Sequence, residues 1–252
     1  MQTDFSGKTA LVTGAGAGLG SAFVGALAER GAAVALLDID AESVSALSDA
    51  LNAKGFATLA VHADVACAAD LEKAVAATVA AFGGIDILIN NAGLHSAKYN
   101  VGFDALGLAE TRRLFDVNLL GLVALSAACR PVMAERGGGV IVNMASSAAF
   151  TSNSAYGVSK LAVRGATICL ATEYAMDGIR VNAIAPGLVG TDANIAQLPP
   201  ALFARYENEL QLIRRPGRVS DIVDTMLYLC SEQSSFITGE VISVTGGYPL
   251  AI

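Results

Sequence analysis

An alternation of short apolar runs with longer segments of helical periodicity most constrains the fold of this chain. Parallel strands need long crossover connections, which are usually helices, so this order predicts a parallel sheet with helices on both faces. The predicted strands are residues 10–12, 34–37, 58–61, 87–89, 140–142, 181–184 and 241–244.

Composition agrees with buried parallel strands. Apolar residues make up 54% of the chain but aromatic residues only 6%, so the interior must be built from Ala, Val, Leu and Ile. No linker or repeat interrupts the 252 residues, which predicts a single α/β domain. The least regular part, with an excursion at about residues 188–215, is expected to form a substrate loop or lid.

Charge and cysteine usage exclude several classes of protein. A formal charge of −7 and a pI near 4.8 argue against binding to nucleic acid or to an anionic membrane. The four cysteines form no C-x-x-C motif, and the two histidines share no ligand spacing with them, so neither metal sites nor disulfides are expected. With no signal-like leader and no sufficiently apolar span recognised in the sequence, we expect a cytoplasmic protein.

The string T13-G-A-G-A-G-L-G20 follows the first predicted strand. Glycine weakens strands and helices alike, so four glycines in this stretch indicate that the turn has a specific structural or binding role. A tight turn alone is one explanation. The position after the first strand favours another, in which backbone N–H groups and a helix N-terminus contact a pyrophosphate.

Four motifs in order make the chain resemble the short-chain dehydrogenase/reductase family over nearly its whole length. They are the glycine string, N90-N-A-G93, Y156-G-V-S-K160 and the pair Pro186-Gly187. The resemblance implies a single-domain Rossmann fold, doubly wound, with a seven-stranded parallel sheet. It also implies a dinucleotide cofactor and hydride transfer between an alcohol and a ketone.

Asp38 directs the choice of cofactor toward NAD. It follows the glycines by roughly 20 residues, where a carboxylate would bind the adenosine ribose and repel a 2′-phosphate. Capping of the next helix fits Asp40 better than Asp38. By resemblance, the cofactor site comprises Gly14, Gly18, Leu19, Gly20, Asp38, Ile39, Asp64, Val65, Asn90 as a ribose contact, Ala92, Gly93, Tyr156, Lys160, Pro186, Gly187, Val189 and Thr191.

Tyr156 and Lys160 are the expected centre of the chemistry. Four residues apart on a predicted helix, they project from one face. A phenol normally has a pKa near ~10. The neighbouring ammonium and the positive ring of NAD⁺ would lower that pKa. Tyr156 is therefore expected to act as general base in alcohol oxidation and general acid in ketone reduction, with Lys160 also binding the nicotinamide ribose.

A serine after strand five is expected to hold the substrate oxygen. The family's pattern, counted from the strand, selects Ser146, whereas counting back from Tyr156 lands on Asn143. The intervening connection is thus shorter than usual, and Ser147 remains the alternative. Asn118 matches the family's residue that interrupts a helix and holds a water between the active-site lysine and solvent.

Substrate contacts are expected near Ser147 and Phe150, in the lid, and in the long segment after N-N-A-G, from His95 and Tyr99. The apolar lid suggests a secondary alcohol or ketone with an apolar body. Two alternatives to an NAD-dependent alcohol dehydrogenase or carbonyl reductase are an NADPH-dependent 3-ketoacyl-carrier reductase and a non-catalytic NAD-sensing regulator. The family resemblance also implies a homo-oligomer, either a dimer or a tetramer.

Overall fold

The predicted strands form one parallel sheet in the computed structural model, which describes residues 4–95 and 97–250. The strands are β1 (Thr9–Thr13), β2 (Ala33–Asp38), β3 (Thr58–His62), β4 (Ile87–Asn90), β5 (Gly139–Met144), β6 (Ile179–Pro186) and β7 (Val241–Val244). Their order is β3-β2-β1-β4-β5-β6-β7, and all neighbours pair in parallel. The doubly wound sheet is therefore confirmed.

Helices cover both faces of the sheet. They are α1 (Gly18–Ala28), α2 (Ala41–Asn52), α3 (Ala68–Phe82), α4 (Phe103–Leu106), α5 (Leu108–Phe115), α6 (Gly121–Glu135), α7 (Ala148–Thr151), α8 (Ala155–Glu173), α9 (Asp192–Gln197), α10 (Pro200–Arg205) and α11 (Val219–Cys230). One core packs the sheet against α1, α2 and α11, and the other packs it against α3, α6 and α8. Successive strand residues alternate between the cores, since Ala10 and Val12 join the first and Leu11 the second.

The strand order reverses beside β1, which lies between β2 and β4. Loops leaving the carboxyl ends of β1 and β4 diverge at such a point and leave a crevice where ligands of open α/β sheets bind. The predicted cofactor and catalytic residues lie at or after the carboxyl ends of β1 to β6, on the same edge of the sheet as this crevice.

One long helix corrects a sequence-based expectation. α5, a π-helical turn (Asp116–Leu120) and α6 join into a 28-residue helix whose most apolar window has a mean hydropathy of 1.6, enough by length and composition to cross a membrane. Core helices of soluble proteins pass the same test. Leu125, Cys129 and Met133 of this helix are fully buried against the sheet, so its inner stripe belongs to the core.

The predicted lid, residues 188–215, contains α9, α10 and a second π-helical turn (Tyr206–Leu210). Its end is attached to the turn that follows β7. The N–H groups of Leu212 and Ile213 donate to the Gly246 carbonyl oxygen at 2.8 and 2.9 Å. The rings of Tyr206 and Tyr248 meet edge to face, with their centroids 5.6 Å apart.

Candidate active site

The turn between β1 and α1 has a shape that glycine adopts most easily. Gly14 and Gly18 have φ angles of 61° and 56°, in the left-handed region. A Cβ atom on Gly14 would lie 2.9 Å from the Cα of Ala92, and one on Gly20 would collide with the Gly14 carbonyl. The turn thus lies very close to both its own helix and the loop after β4.

The N-terminus of α1 fits the pyrophosphate of a dinucleotide. No side chain caps the helix at Ala17, and its first turn contains no acidic residue. The positive end of the helix dipole is therefore not neutralised locally, and an anion is the chemistry such an end binds. Leu19, in the same turn, packs its side chain against the first core.

Asp38 lies at the end of β2 and faces the glycine turn. One carboxylate oxygen accepts the Gly16 N–H at 2.8 Å, and the other accepts the Asp40 N–H at 3.0 Å. Asp40, not Asp38, caps α2 through the N–H groups of Glu42 and Ser43. Ile39 is 61% exposed beside this carboxylate.

Two residues that the sequence reasoning passed over join the glycine turn to the loop after β4. The Thr13 hydroxyl accepts the N–H groups of Asn91 and Ala92 at 3.0 and 2.9 Å. The Asn91 side-chain amide donates to the carbonyls of Thr13 and Gly14, both at 2.9 Å. Both residues belong to motifs that the sequence shows, T-G and N-N. Their hydrogen bonds to each other could not be predicted, because they depend on β1 and β4 being neighbours in the sheet.

Asn90 lies deeper than a ribose contact requires. Its side chain is buried, and its amide donates to Ser126 at 3.1 Å and to Asn143 at 2.9 Å. Asn143 in turn donates to Thr167 at 3.0 Å. The side chain thus belongs to a polar network between strands and helices.

The remaining predicted cofactor residues lie after β3 and β6. The Asp64 carboxylate accepts the N–H of Ala66 at 2.9 Å, and the Val65 carbonyl lies against Gly121. Gly187 follows Pro186 and has no room for a side chain, since a Cβ would lie 2.9 Å from the Thr245 Cα.

Val189 and Thr191 begin the lid. Val189 is buried and pairs with Gly217 in an isolated bridge. The Thr191 hydroxyl caps α9 by accepting the Asn194 N–H at 3.2 Å. This places both residues directly after the carboxyl end of β6.

Tyr156 and Lys160 occupy one face of α8, as their spacing predicts. The Lys160 Nζ lies 5.9 Å from the centre of the Tyr156 ring and donates to the Met144 carbonyl at 2.7 Å. Lys160 is only 5% exposed. Burial lowers the pKa of this ammonium from 10.5 to about 8.

The pKa of Tyr156 differs from the expectation. Burial raises the pKa of this phenol above its usual value, and a hydrogen bond with the Ser146 side chain offsets part of that increase. Protein groups alone therefore do not lower the pKa of Tyr156, because desolvation of the phenolate outweighs them.

Ser146, rather than Ser147, is the serine whose side chain meets Tyr156. Its hydroxyl also accepts the Ala148 N–H at 3.2 Å. Ser147 precedes α7, and its N–H donates to the Pro186 carbonyl at 2.8 Å. The connection from Ser146 to Tyr156 is taken up by this short helix.

Asn118 lies in the π-helical turn between α5 and α6 and is buried. Its Oδ1 accepts the Leu94 N–H at 2.7 Å, while its Nδ2 donates to the Leu94 carbonyl and the Ser159 hydroxyl, each at 3.1 Å. A Cβ on Gly93 would lie 3.3 Å from both Asn118 Oδ1 and Lys160 Nζ. Gly93 thus occupies the narrow space between these two side chains.

The candidate substrate residues separate into different environments. Tyr99 is a correction: it is only 5% exposed, and its hydroxyl donates to Glu110, so it cannot line an open groove. Phe150 packs against the second core, with the Arg164 guanidinium 4.5 Å from its ring centre. The His95 residue is exposed. Partial desolvation of its ring lowers the pKa of His95, and the charge on Lys160 lowers it further. His95 therefore lies close enough to the site to interact with the Lys160 charge.

Among the described residues, no group of three or more His, Cys, Asp or Glu side chains is arranged to hold a metal ion. The site therefore offers a glycine turn with an open helix end, a carboxylate, a half-buried tyrosine and serine, and a buried lysine and asparagine. These groups can bind a dinucleotide and transfer a proton at a substrate oxygen.

Known proteins share this sequence and architecture. A family model described as "Enoyl-(Acyl carrier protein) reductase" matches residues 14–249. An uncharacterized oxidoreductase of Mycobacterium tuberculosis is 37% identical over 243 residues, covering 96% of this chain and 98% of the relative. The 7alpha-hydroxysteroid dehydrogenase of Escherichia coli is 34% identical over 244 residues, covering 96% of this chain and 94% of the relative.

A solved structure has the same fold as this chain. It is a 7 alpha-hydroxysteroid dehydrogenase complexed with NADH and 7-oxo glycochenodeoxycholic acid, and it matches with a TM-score of 0.91 and 32% identity, covering 98% of this chain and 96% of that chain. By sequence, fold and motif order, this chain belongs to the short-chain dehydrogenase/reductase family, a family of oxidoreductases that use nicotinamide cofactors.

Proposed function

We propose that this protein interconverts a secondary alcohol and a ketone with NAD as its cofactor and Tyr156 as the group that transfers the proton. The observation that carries the proposal is the convergence of Tyr156, Lys160 and Ser146. The phenol lies beside both an ammonium and a hydroxyl on neighbouring elements. That arrangement can bind a substrate oxygen and move its proton.

Each protein group has a distinct task in this proposal. Ser146 hydrogen-bonds the substrate oxygen, and Tyr156 removes its proton in oxidation or returns it in reduction. Lys160 favours the phenolate by its charge, and Asn118 fixes the Leu94 backbone beside the lysine. When bound, the oxidised dinucleotide supplies the hydride acceptor and a positive ring.

Proton transfer is tested by Tyr156→Phe, with Tyr228→Phe on α11 as a matched control. We expect Tyr156→Phe to lower turnover by about 10²–10⁴-fold, the usual contribution of a general acid or base, while NAD binding stays close to wild type. Turnover is followed by NADH absorbance and binding by calorimetry. Tyr228→Phe should behave as wild type. Wild-type turnover in Tyr156→Phe would refute the mechanism.

Asp38 supports NAD over NADP. Its carboxylate faces the glycine turn, and neither residues 13–20 nor residues 38–43 contain a Lys or Arg to pair with a 2′-phosphate. We expect tighter binding of NAD than of NADP by titration and a reduced difference in Asp38→Ala. A preference for NADP in the wild-type protein would favour the ketoacyl-carrier reductase instead.

The substrate proposed for this site is a secondary alcohol on an apolar, cyclic body. The lid exposes Ile195, Leu212 and Ile213, whose side chains are 62%, 65% and 57% exposed and offer apolar contacts to such a body. The related 7alpha-hydroxysteroid dehydrogenase acts on an alcohol of this kind. A panel of hydroxysteroids and simple cyclic alcohols, assayed by NADH formation, tests the proposal. Absence of turnover with every member, despite NAD binding, would favour an NAD-sensing regulator.

We also propose that the protein is a homo-oligomer, a dimer or tetramer. Leu120 and, on α8, Leu161 and Ile168 are 55%, 43% and 56% exposed. They belong to two long neighbouring helices whose other faces fill the second core. Exposed apolar side chains grouped in this way favour burial against a second copy of the chain.

A further inference from the structure

We infer that residues 97–107, here called the brace, hold the phenol of Tyr156 in position, with Tyr99 as the positioning residue. The inference rests on the proposed function, because it takes Tyr156 as the group that transfers the proton. Among the described residues, the buried side chains of the brace belong to neither of the two cores that pack the sheet. Tyr99 and Leu106 belong instead to a third, smaller cluster, which also includes one residue each from α5 and α8.

Tyr99 has the largest side chain among the buried members of that cluster, which also include Leu106, Leu114 and Ala155. The half-buried side chain of Tyr156 packs against the same group. The cluster that contains the Tyr99 ring therefore supports the side chain of Tyr156, which also forms a hydrogen bond with Ser146.

Polar contacts fix Tyr99 to α5. Its hydroxyl donates to Glu110 Oε2 at 3.2 Å, and the Lys98 ammonium lies 2.8 Å from the same oxygen. The hydrogen bond to Lys98 lowers the pKa of Glu110, so this carboxylate stays ionised near neutral pH. The brace thus has one end bound to a long helix of the fold.

The middle of the brace reaches the start of α8. The Val101 carbonyl accepts the N–H of Ala155 at 2.8 Å. Ala155 is the first residue of α8 and immediately precedes Tyr156. This single backbone bond therefore fixes the point from which the phenol projects.

The short connection between Ser146 and Tyr156 explains why α8 needs support from the brace. Tyr156 follows Ser146 by ten residues, a shortened spacing, and the chain between them contains Ser152 in the left-handed region at φ 48°. A non-glycine residue adopts that conformation at an energetic cost. The brace supplies from the β4 side the constraint that holds α8 against this strained connection.

Steady-state kinetics of the full-length protein with NAD and the best 7α-hydroxysteroid or cyclic alcohol of the panel test the inference. Tyr99→Leu removes the ring, Tyr99→Phe keeps it, and Tyr174→Leu is the control, since Tyr174 is equally buried at the far end of α8. We expect kcat to fall about tenfold or more in Tyr99→Leu, because small misplacements of a reacting group are costly. Tyr99→Phe should restore kcat to within about threefold of wild type. NAD affinity should not change.

A second set of variants separates positioning from folding. Ala155→Pro removes only the N–H that binds Val101, at a first helical position where proline is tolerated. It should lower kcat as Tyr99→Leu does. In a Tyr156→Phe background, Tyr99→Leu should cause no further loss, since the brace acts through the missing hydroxyl.

The outcomes are distinguishable. If Tyr156→Phe is inactive but Tyr99→Leu and Ala155→Pro turn over like Tyr174→Leu, the brace is refuted and the proposed function stands. The same holds if Tyr99→Leu causes its full loss in the Tyr156→Phe background. If Tyr156→Phe is itself fully active, the proposed function fails, and the brace fails with it.

Discussion

At the scale of single residues, Lys160 and Tyr156 separate what a sequence can predict from what it cannot. Their shared helix face follows from a spacing of four residues. Their pKa directions do not, because both follow from burial, which depends on how the rest of the folded chain packs around α8. Likewise, Asp38 was identifiable by its distance from the glycines, whereas the polar network around Asn90 required the packed sheet.

The buried ammonium of Lys160 predicts a pH-dependent stability. Its pKa of about 8 in the folded protein lies below the unfolded value of 10.5, so the unfolded chain binds more protons between these values. The contribution to stability therefore rises with pH from about 8 to 10.5. We expect Lys160→Met to be more stable than wild type at pH 7 by about 1–3 kcal/mol, with the difference shrinking across that window.

Urea unfolding at a series of pH values measures this difference. Lys73→Met is the control, because the Lys73 side chain is 79% exposed. Its difference from wild type should be small and nearly independent of pH. A difference for Lys160→Met that stays constant from pH 7 to above pH 10.5 would contradict the assignment of a lowered pKa.

At the scale of elements, the strands were predictable and the connections less so. Each apolar run is a strand because buried parallel strands need continuous apolar sequence. The helices of the lid escaped prediction, and the helix through Asn118 was implied only by the family resemblance, without its bounds. A π-helical turn has no simple apolar period. The lid end takes its shape from contacts with Gly246 and Tyr248, which lie far along the chain.

The junction of β1 with the loop after β4 predicts the effect of Thr13→Val. Valine keeps the shape but leaves the Ala92 N–H without its acceptor, and the Asn91 N–H keeps only its bond to the Ile89 carbonyl. We expect a loss of about 1–3 kcal/mol in the free energy of unfolding. We also expect weaker NAD binding, because the glycine turn loses its tie to the neighbouring loop.

Thr78→Val is the matched control for this variant. Thr78 is equally buried, but its hydroxyl only donates to a carbonyl within α3, at 2.8 Å from Ala74. Thermal unfolding and NAD titration of both variants make the comparison. Equal effects of the two substitutions on NAD affinity would argue against a special role for the junction.

At the scale of the whole molecule, two layers of helices enclose the sheet, but the outer face of one layer stays apolar. Ile168 on α8 is 56% exposed in the single chain. We expect wild-type protein to sediment as a dimer or tetramer and Ile168→Glu to weaken that association by about tenfold or more.

A matched control is Met176→Glu, since Met176 is 94% exposed and follows the end of α8. It should leave the mass in solution unchanged. Sedimentation or light scattering at several protein concentrations measures the association. A wild-type protein that remains monomeric at every concentration would exclude the proposed oligomer.

The contact between Tyr206 and Tyr248 has a practical consequence for work with this enzyme. Because the turn after β7 contacts the end of the lid, a group attached behind Tyr248 would lie beside the segment that is proposed to contact the substrate. Residue Phe5, by contrast, enters β1 from the amino end of the sheet, opposite the crevice. Affinity tags and immobilisation linkers are therefore better attached before Phe5, on the side of the sheet away from the lid.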